Sequence, residues 1–151
     1  TEDDPNSANP ADLIVVPEQT SQGVEFGFTY AATDTFQLYG NAAVLNAETS
    51  TGARPTAVPE ETYNLGVAWD IGGVVRLLAD SRYVGDRFFA NNSVPSYTVV
   101  DASLRWSATD DVAFTFKVDN LFDELYASGT SSGNWLVGKP RTASLAVDFR
   151  F

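Results

Sequence analysis

Two pairs of adjacent carboxylates, Glu60-Glu61 and Asp110-Asp111, come nearest to acid–base or calcium chemistry in this sequence. Asp110-Asp111 falls where a tight turn is expected, and Asp is favoured there for its local side-chain-to-backbone bonds. Glu60-Glu61 opens an expected strand beside a loop. Neither pair has a spacing that specifies a metal. The 151 residues include no histidine, cysteine or methionine, which excludes disulfides, thiol chemistry, Cys/His zinc sites and catalytic units that need His or Cys. There is no phosphate-cradling glycine loop and no nucleophile elbow. The sequence therefore predicts no enzyme, no metal site and no cofactor. A net charge of −11 also argues against a nucleic-acid partner, which needs a basic footprint. What remains are aromatic residues in or beside loop-like stretches: Phe88, Phe89, Tyr126 and Trp135. Loops on a rigid scaffold carry function disproportionately, so these four are candidate ligand contacts. The plainer reading is that they pack their own loops.

The elements that must position them are strands. Apolar residues make up 44% of the chain, too many for disorder. The longest apolar runs, Leu13–Pro17 and Ile71–Val75, fall far short of the ~20 residues of a membrane helix. Ala143, Leu145, Val147, Phe149 and Phe151 share one face of the last ten residues, and Thr142, Ser144, Ala146, Asp148 and Arg150 the other. That is period two, not 3.6. Val112, Phe114, Phe116 and Val118 alternate in the same way, as do Val100, Ala102, Leu104 and Trp106. So do Tyr63, Leu65, Val67, Trp69 and Ile71, and Val24, Phe26, Phe28 and Tyr30. Leu78 falls on a polar face, and the facing of Phe36–Ala47 is ambiguous. Seven strands are expected, at 12–32, 36–47, 61–71, 74–85, 96–107, 112–122 and 142–151.

Connections alternate between short and long. Thr33–Thr35, Gly72–Gly73 and Ala108–Asp111 read as tight turns, and Glu48–Glu61, Gly85–Pro95 and Asp123–Arg141 as long loops. All tight turns then lie at one end of the sheet and all long loops at the other. The fold class is all-β, an antiparallel up-and-down meander of about seven strands. Short turns at one end and long loops at the other match a transmembrane β-barrel. Tyr30, Phe36, Trp69, Trp106, Phe149 and Phe151 fall near the tight turns or the C-terminus, and Tyr63, Tyr83, Tyr97 and Phe122 near the long loops. Two aromatic girdles around an aliphatic band suit a barrel wall whose apolar face meets lipid. The other face, with Glu25, Asp70, Arg76, Asp80, Arg82, Asp101, Arg105, Lys117, Asp119, Asp148 and Arg150, suits a hydrated lumen with cross-strand ion pairs.

Several short segments carry a family resemblance. They are Tyr83-Val84-Gly85-Asp86-Arg87-Phe88, Pro95-Ser96-Tyr97-Thr98-Val99-Val100-Asp101-Ala102, Asn120-Leu121-Phe122-Asp123 with Tyr126, and Gly138-Lys139-Pro140-Arg141 before the final strand. Upstream are Ser21-Gln22-Gly23-Val24-Glu25, Asp4-Pro5-Asn6 and Asn9-Pro10. In their order and spacing the chain resembles the C-terminal end of a TonB-dependent outer-membrane receptor of the ferric-siderophore type. The usual Arg is replaced by Gln22.

The resemblance implies a 22-stranded barrel in the bacterial outer membrane with an N-terminal plug and a TonB-binding segment, neither of which fits in this length. It implies outer-membrane lipid, a ferric siderophore, TonB (through the missing N-terminal region) and the barrel-assembly machinery as partners. Phe149 and Phe151 would serve as the assembly signal. Asn120 and Asp123 are expected to organise a strand-to-loop transition through side-chain-to-backbone bonds, and Pro140-Arg141 to set the entry of the last strand.

Two rival readings remain at this point. One is an autonomous eight-stranded outer-membrane barrel with a structural or adhesion role, which needs Ala11–Val16 as a separate strand. The other is a soluble secreted binding barrel with its aliphatic face inside. If the last strand runs towards the periplasm, counting back places Thr1 on the extracellular side. The sequence is then expected to be a piece of a longer protein, with two open sheet edges.

Overall fold

In the computed structural model, which describes residues 2–3, 13–14, 18–89, 92–131 and 134–151, every regular element is a β-strand. Two short strands, β1 (Glu2–Asp3) and β2 (Leu13–Ile14), pair with each other. The wall follows as β3 (Gln19–Ala31), β4 (Phe36–Thr49), β5 (Glu61–Ile71) and β6 (Val75–Val84). Two small strands, β7 (Arg87–Phe89) and β8 (Asn92–Val94), form a hairpin within the next long loop. The wall resumes with β9 (Tyr97–Ser107) and β10 (Val112–Asp119). A second loop hairpin, β11 (Ala127–Ser131) with β12 (Asn134–Val137), precedes the last wall strand β13 (Thr142–Phe149). The seven wall strands form one antiparallel sheet in the order β13-β10-β9-β6-β5-β4-β3, the expected meander.

Register turns the sequence alternation into two faces. Phe36, Trp69, Leu77, Leu104, Phe116 and Leu145 stand opposite one another in a continuous apolar row across six strands. A second row runs Tyr30, Leu38, Val67, Ala79, Ala102, Val118 and Ala143. This places the apolar residues of β4 beside those of its neighbours and resolves its facing. The opposite face carries Tyr39, Gly66, Asp80 and Asp101 in one row, and Ala68, Leu78, Ser103, Lys117 and Ser144 in the next. Small residues on the polar face, Ala68, Val99 and Ala113, are buried. Large residues on the apolar face are not: Phe26 is 64% and Leu145 66% exposed. Crowding on one face and splaying on the other is what curvature towards the polar face produces.

The tight turns form as expected. Gly72 and Gly73 have φ of 58° and 72°, and Val74 N–H donates to the Ile71 carbonyl. Two consecutive positive φ values make a type I′ turn, whose twist matches the strands it joins. Near the turns, Phe36 meets Trp69 edge-on and Trp106 stacks on Phe114. Near the long loops Tyr63 stacks on Tyr83. Each is a cross-strand pair on the apolar face, as girdles require.

The structure corrects four expectations. The first wall strand starts at Gln19, not residue 12, because its partner β4 turns away at Thr49. Leu13–Ile14 pairs with Glu2–Asp3 and not with the last strand, so the eight-stranded closure lacks its key pairing. β10 ends at Asp119, not residue 122, because Asn120 takes a left-handed φ of 52°. β13 ends at Phe149, not Phe151. Its partner β10 begins at Val112, and the last ladder bond is Arg150 N–H to the Asp111 carbonyl. The quoted motifs Asp4-Pro5-Asn6 and Asn9-Pro10 lie outside the described residues.

Candidate functional site

The three long loops meet at one end of the sheet. The loop after β4 is fastened to the β7–β8 hairpin by Arg54. Its Nε lies 2.9 Å from a Glu60 carboxylate oxygen and its Nη1 3.0 Å from Asp86 Oδ2. Nη2 donates to the Asp86 carbonyl at 3.1 Å, and the guanidinium stands 4.6 Å over the Phe88 ring. Ala57, with a left-handed φ of 67°, donates its N–H to the Phe88 carbonyl at 2.7 Å.

Arg87, opposite Val94 in the same hairpin, fastens the next junction. It is 7% exposed. Its Nη atoms donate to the Ser128 and Ala127 carbonyls at 3.2 and 2.9 Å. Its guanidinium faces the Phe89 and Tyr97 rings, at 5.9 and 5.4 Å from their centroids. A buried guanidinium needs such partners, because an uncompensated buried charge is costly.

Beneath the third loop, Asn120 is 2% exposed and fully engaged. Its N–H donates to Asp101 Oδ1, its Nδ2 to the Glu124 and Lys139 carbonyls, and its Oδ1 accepts from Glu124 N–H, all within 3.0 Å. Asp123, also left-handed, accepts from Arg141 N–H at 3.0 Å. These bonds are the strand-to-loop transition expected of Asn120 and Asp123. They also fix the entry of β13 after Pro140.

The four candidate aromatics are placed unequally. Phe88 lies beneath Arg54, and Phe89 beside Arg87 and against Gly129. Tyr126 stacks on Tyr97, ring centres 4.3 Å apart, and its ring fills the space beside Gly138. Trp135 on β12 is 54% exposed. The structure thus gathers Phe88, Phe89 and Tyr126 into one collar and leaves Trp135 open. Tyr97 departs from the girdle role expected of it. It shares the parity of Val99 and Asp101, so it belongs to the polar face, under the collar. Arg54 and Arg87 were not anticipated, since the hydrogen-bond partners by which they join separate loops lie 32 to 41 residues away in sequence.

Below the collar the polar face is a hydrogen-bonded wall. Two like-charged pairs stand directly opposite, Asp80 with Asp101 and Arg76 with Arg105. Such pairs are destabilising unless something offsets them. Tyr39 donates its hydroxyl to Asp80 at 2.6 Å, and Asn120 N–H occupies Asp101. Arg105 pairs with Asp148 at 2.5 Å, and Arg76 with Asp70 at 3.8 Å. Lys117 and Lys139 share Asp119. Among the described residues no group of three or more acidic side chains could hold a metal ion. Phe149 is 63% exposed on the apolar face, and Phe151 extends beyond the strand.

The sequence matches the family described as TonB dependent receptor-like, beta-barrel over residues 2–121. It is 26% identical over 161 residues to the metal-pseudopaline receptor CntO of Pseudomonas aeruginosa, covering 95% of this chain and 22% of that protein. It is 35% identical over 75 residues to the vitamin B12 transporter BtuB of Vibrio vulnificus, covering 48% of this chain and 12% of that one. In fold it is similar to the ferric yersiniabactin uptake receptor FyuA from Yersinia pestis. The TM-score is 0.81 at 22% identity, over 90% of this chain and 24% of that one. The siderophore receptor PiuA from Acinetobacter baumannii gives a TM-score of 0.77 at 20% identity, over 87% and 22% of the two chains. The chain therefore spans less than a quarter of the length of each of these proteins.

Proposed function

This chain belongs to the TonB-dependent receptor β-barrel family, a family of outer-membrane receptors, and from that premise we propose that it forms the C-terminal barrel wall of a receptor for a ferric siderophore. The observation that carries the reading is the collar: three loops with their aromatic and guanidinium groups gathered over a polar, hydrogen-bonded wall. Aromatic faces held in place by paired guanidinium groups suit a bulky metal chelate. The metal chelate read by the Pseudomonas relative and the ferric ligands of the similar structures point to the same class.

In this reading the apolar face meets lipid, and the polar face lines the lumen. Ligand is captured at the collar, with Trp135 as the most accessible of the four contacts and Phe88, Phe89 and Tyr126 as its packed floor. A plug contributed by the rest of the parent protein rearranges when TonB engages from the periplasmic side. Phe149 and Phe151 present the final strand to the barrel-assembly machinery. Support comes from their place at the tight-turn end of the sheet and their exposure.

The test is uptake by the full-length parent in cells starved of iron. Radio-iron should enter with at least one of a panel of hydroxamate, catecholate and mixed-ligand siderophores. A Trp135→Ala variant should raise the half-saturating concentration without lowering surface levels. If no ferric siderophore supports uptake, and nickel, zinc or cobalt chelates or vitamin B12 do, the ferric assignment is replaced by that cargo.

A further inference from the structure

Among the described residues the three loops are joined by long-range contacts at two junctions, and the β7–β8 hairpin takes part in both. On its one side Arg54 and the Ala57–Phe88 bond hold residues 50–60. On its other side Arg87 holds β11, and the Phe89 ring lies where a Cβ at Gly129 would meet it. The hairpin itself is rooted in the wall, where Gly85 N–H donates to the Glu61 carbonyl. β11–β12 is rooted separately, by Tyr126 on Tyr97 and by Gly138 N–H on the Tyr126 carbonyl.

We propose that the loops after β4, β6 and β10 act as one mechanical body, with Arg87 as its keystone, so that a disturbance at any one loop is felt at the other two.

Three features make Arg87 the keystone. It is the charged side chain buried at this junction, at 7% exposure. Both Nη atoms are committed to backbone carbonyls of a different loop, so its position fixes β11 in space and not merely a side-chain contact. Among the described residues its hold is made by those two carbonyls and by the rings of Phe89 and Tyr97. A planar fork between two rings has one well-defined seat, and moving it displaces both hairpins at once. Phe88 and Phe89 are consecutive residues of β7, one seated under Arg54 and the other beside Arg87. A shift of β7 is therefore transmitted to residues 50–60 through Phe88 and its carbonyl, which Arg54 and Ala57 hold. For a receptor this means that a ligand seated on one loop shifts or stiffens all three.

Hydrogen exchange of the full-length parent in detergent, read by mass spectrometry on peptides covering 52–58 and 126–131, tests this. Arg87→Ala should speed exchange in 52–58 by about tenfold, although its hydrogen bonds and ring contacts among the described residues lie elsewhere. Arg54→Ala should speed exchange in 126–131, although its ion pairs, hydrogen bonds and ring contact among the described residues are with Glu60, Asp86 and Phe88. Arg87→Lys, which keeps the charge and loses the fork, should give an intermediate effect at 52–58. Unchanged exchange of wall peptides from β5 and β6 marks a properly folded barrel. If Arg87→Ala does not meet that criterion, the Arg54→Ala arm decides. Independent loops give the opposite pattern, with Arg87→Ala felt only in 85–94 and 126–131 and Arg54→Ala only in 52–58 and 85–89. That pattern overturns the proposal.

Discussion

Truncating Asn120 to Ala removes three side-chain hydrogen bonds at a buried position and leaves an L-residue at φ 52° without the carboxamide that tolerates it. The expected cost is about 2–4 kcal/mol, from unsatisfied carbonyls and backbone strain together. Asn120→Gly loses the same bonds but accepts the left-handed backbone, so it should cost about 1 kcal/mol less than Ala. Urea titration of the parent protein folded in lipid vesicles measures both, and equal costs would remove the backbone-strain component. The role of Asn120 was legible because Asn and Asp three residues apart, at the end of an alternating run, have few other uses. Arg87 was not legible. Its partners are backbone carbonyls 40 and 41 residues on, which no local pattern announces. Tyr97 was misplaced for a different reason. Proximity to a long loop suggested a girdle, whereas a one-residue change of parity sends a strand residue to the other face.

Among the elements, the wall strands were the readable part because each must present one dry and one wet face, and period two records that directly. Where the constraint stops, so does the reading. The loop hairpins β7–β8 and β11–β12 are short, and their residues are held by neighbouring loops rather than by a two-faced environment. The beginning of β3 was overextended because Leu13–Val16 is apolar, yet pairing with β4 ends at Gln19–Thr49. The facing of β10 gives a direct prediction. Val118 lies in the apolar row with Ala102 and Ala143, whereas Lys117 lies in the polar row with Ser103 and Ser144. Val118→Arg should destabilise the folded parent by about 2–4 kcal/mol in vesicles, as a cation on the lipid face near mid-membrane does. Lys117→Leu on the lumen face should cost less than about 1 kcal/mol, since Lys117 is exposed and Asp119 keeps Lys139 as its partner. Similar costs at the two positions would mean that the faces are not distinguished by lipid.

For the whole molecule, the seven-stranded sheet ends in two strands, β3 and β13, each paired on one side among the described residues. Open edges in hydrocarbon leave backbone groups unsatisfied, so in the membrane these strands need further partners from the parent barrel. The exposed Phe151 belongs to this scale, because in the proposed reading it serves insertion and not the packing of the wall. Removing Phe151 from the parent should lower surface levels several-fold, and removing Ser50–Gly52 from the exposed tip of the first long loop should not. Quantitative surface labelling compares them, and equal levels would leave Phe151 a purely structural residue.

The orientation of the wall is the claim on which lumen, collar and cargo all depend, and the absence of cysteine in these residues makes it directly measurable. Single cysteines at Leu104, Leu145, Lys117 and Asp148 of the parent in lipid vesicles would carry spin labels, with accessibility to oxygen and to a water-soluble nickel chelate read at each. Labels at 104 and 145 should be relaxed by oxygen and shielded from nickel, and labels at 117 and 148 should show the reverse. Nickel access at 104 and 145 with oxygen access at 117 and 148 would invert the barrel wall and contradict the assignment of lumen and lipid faces.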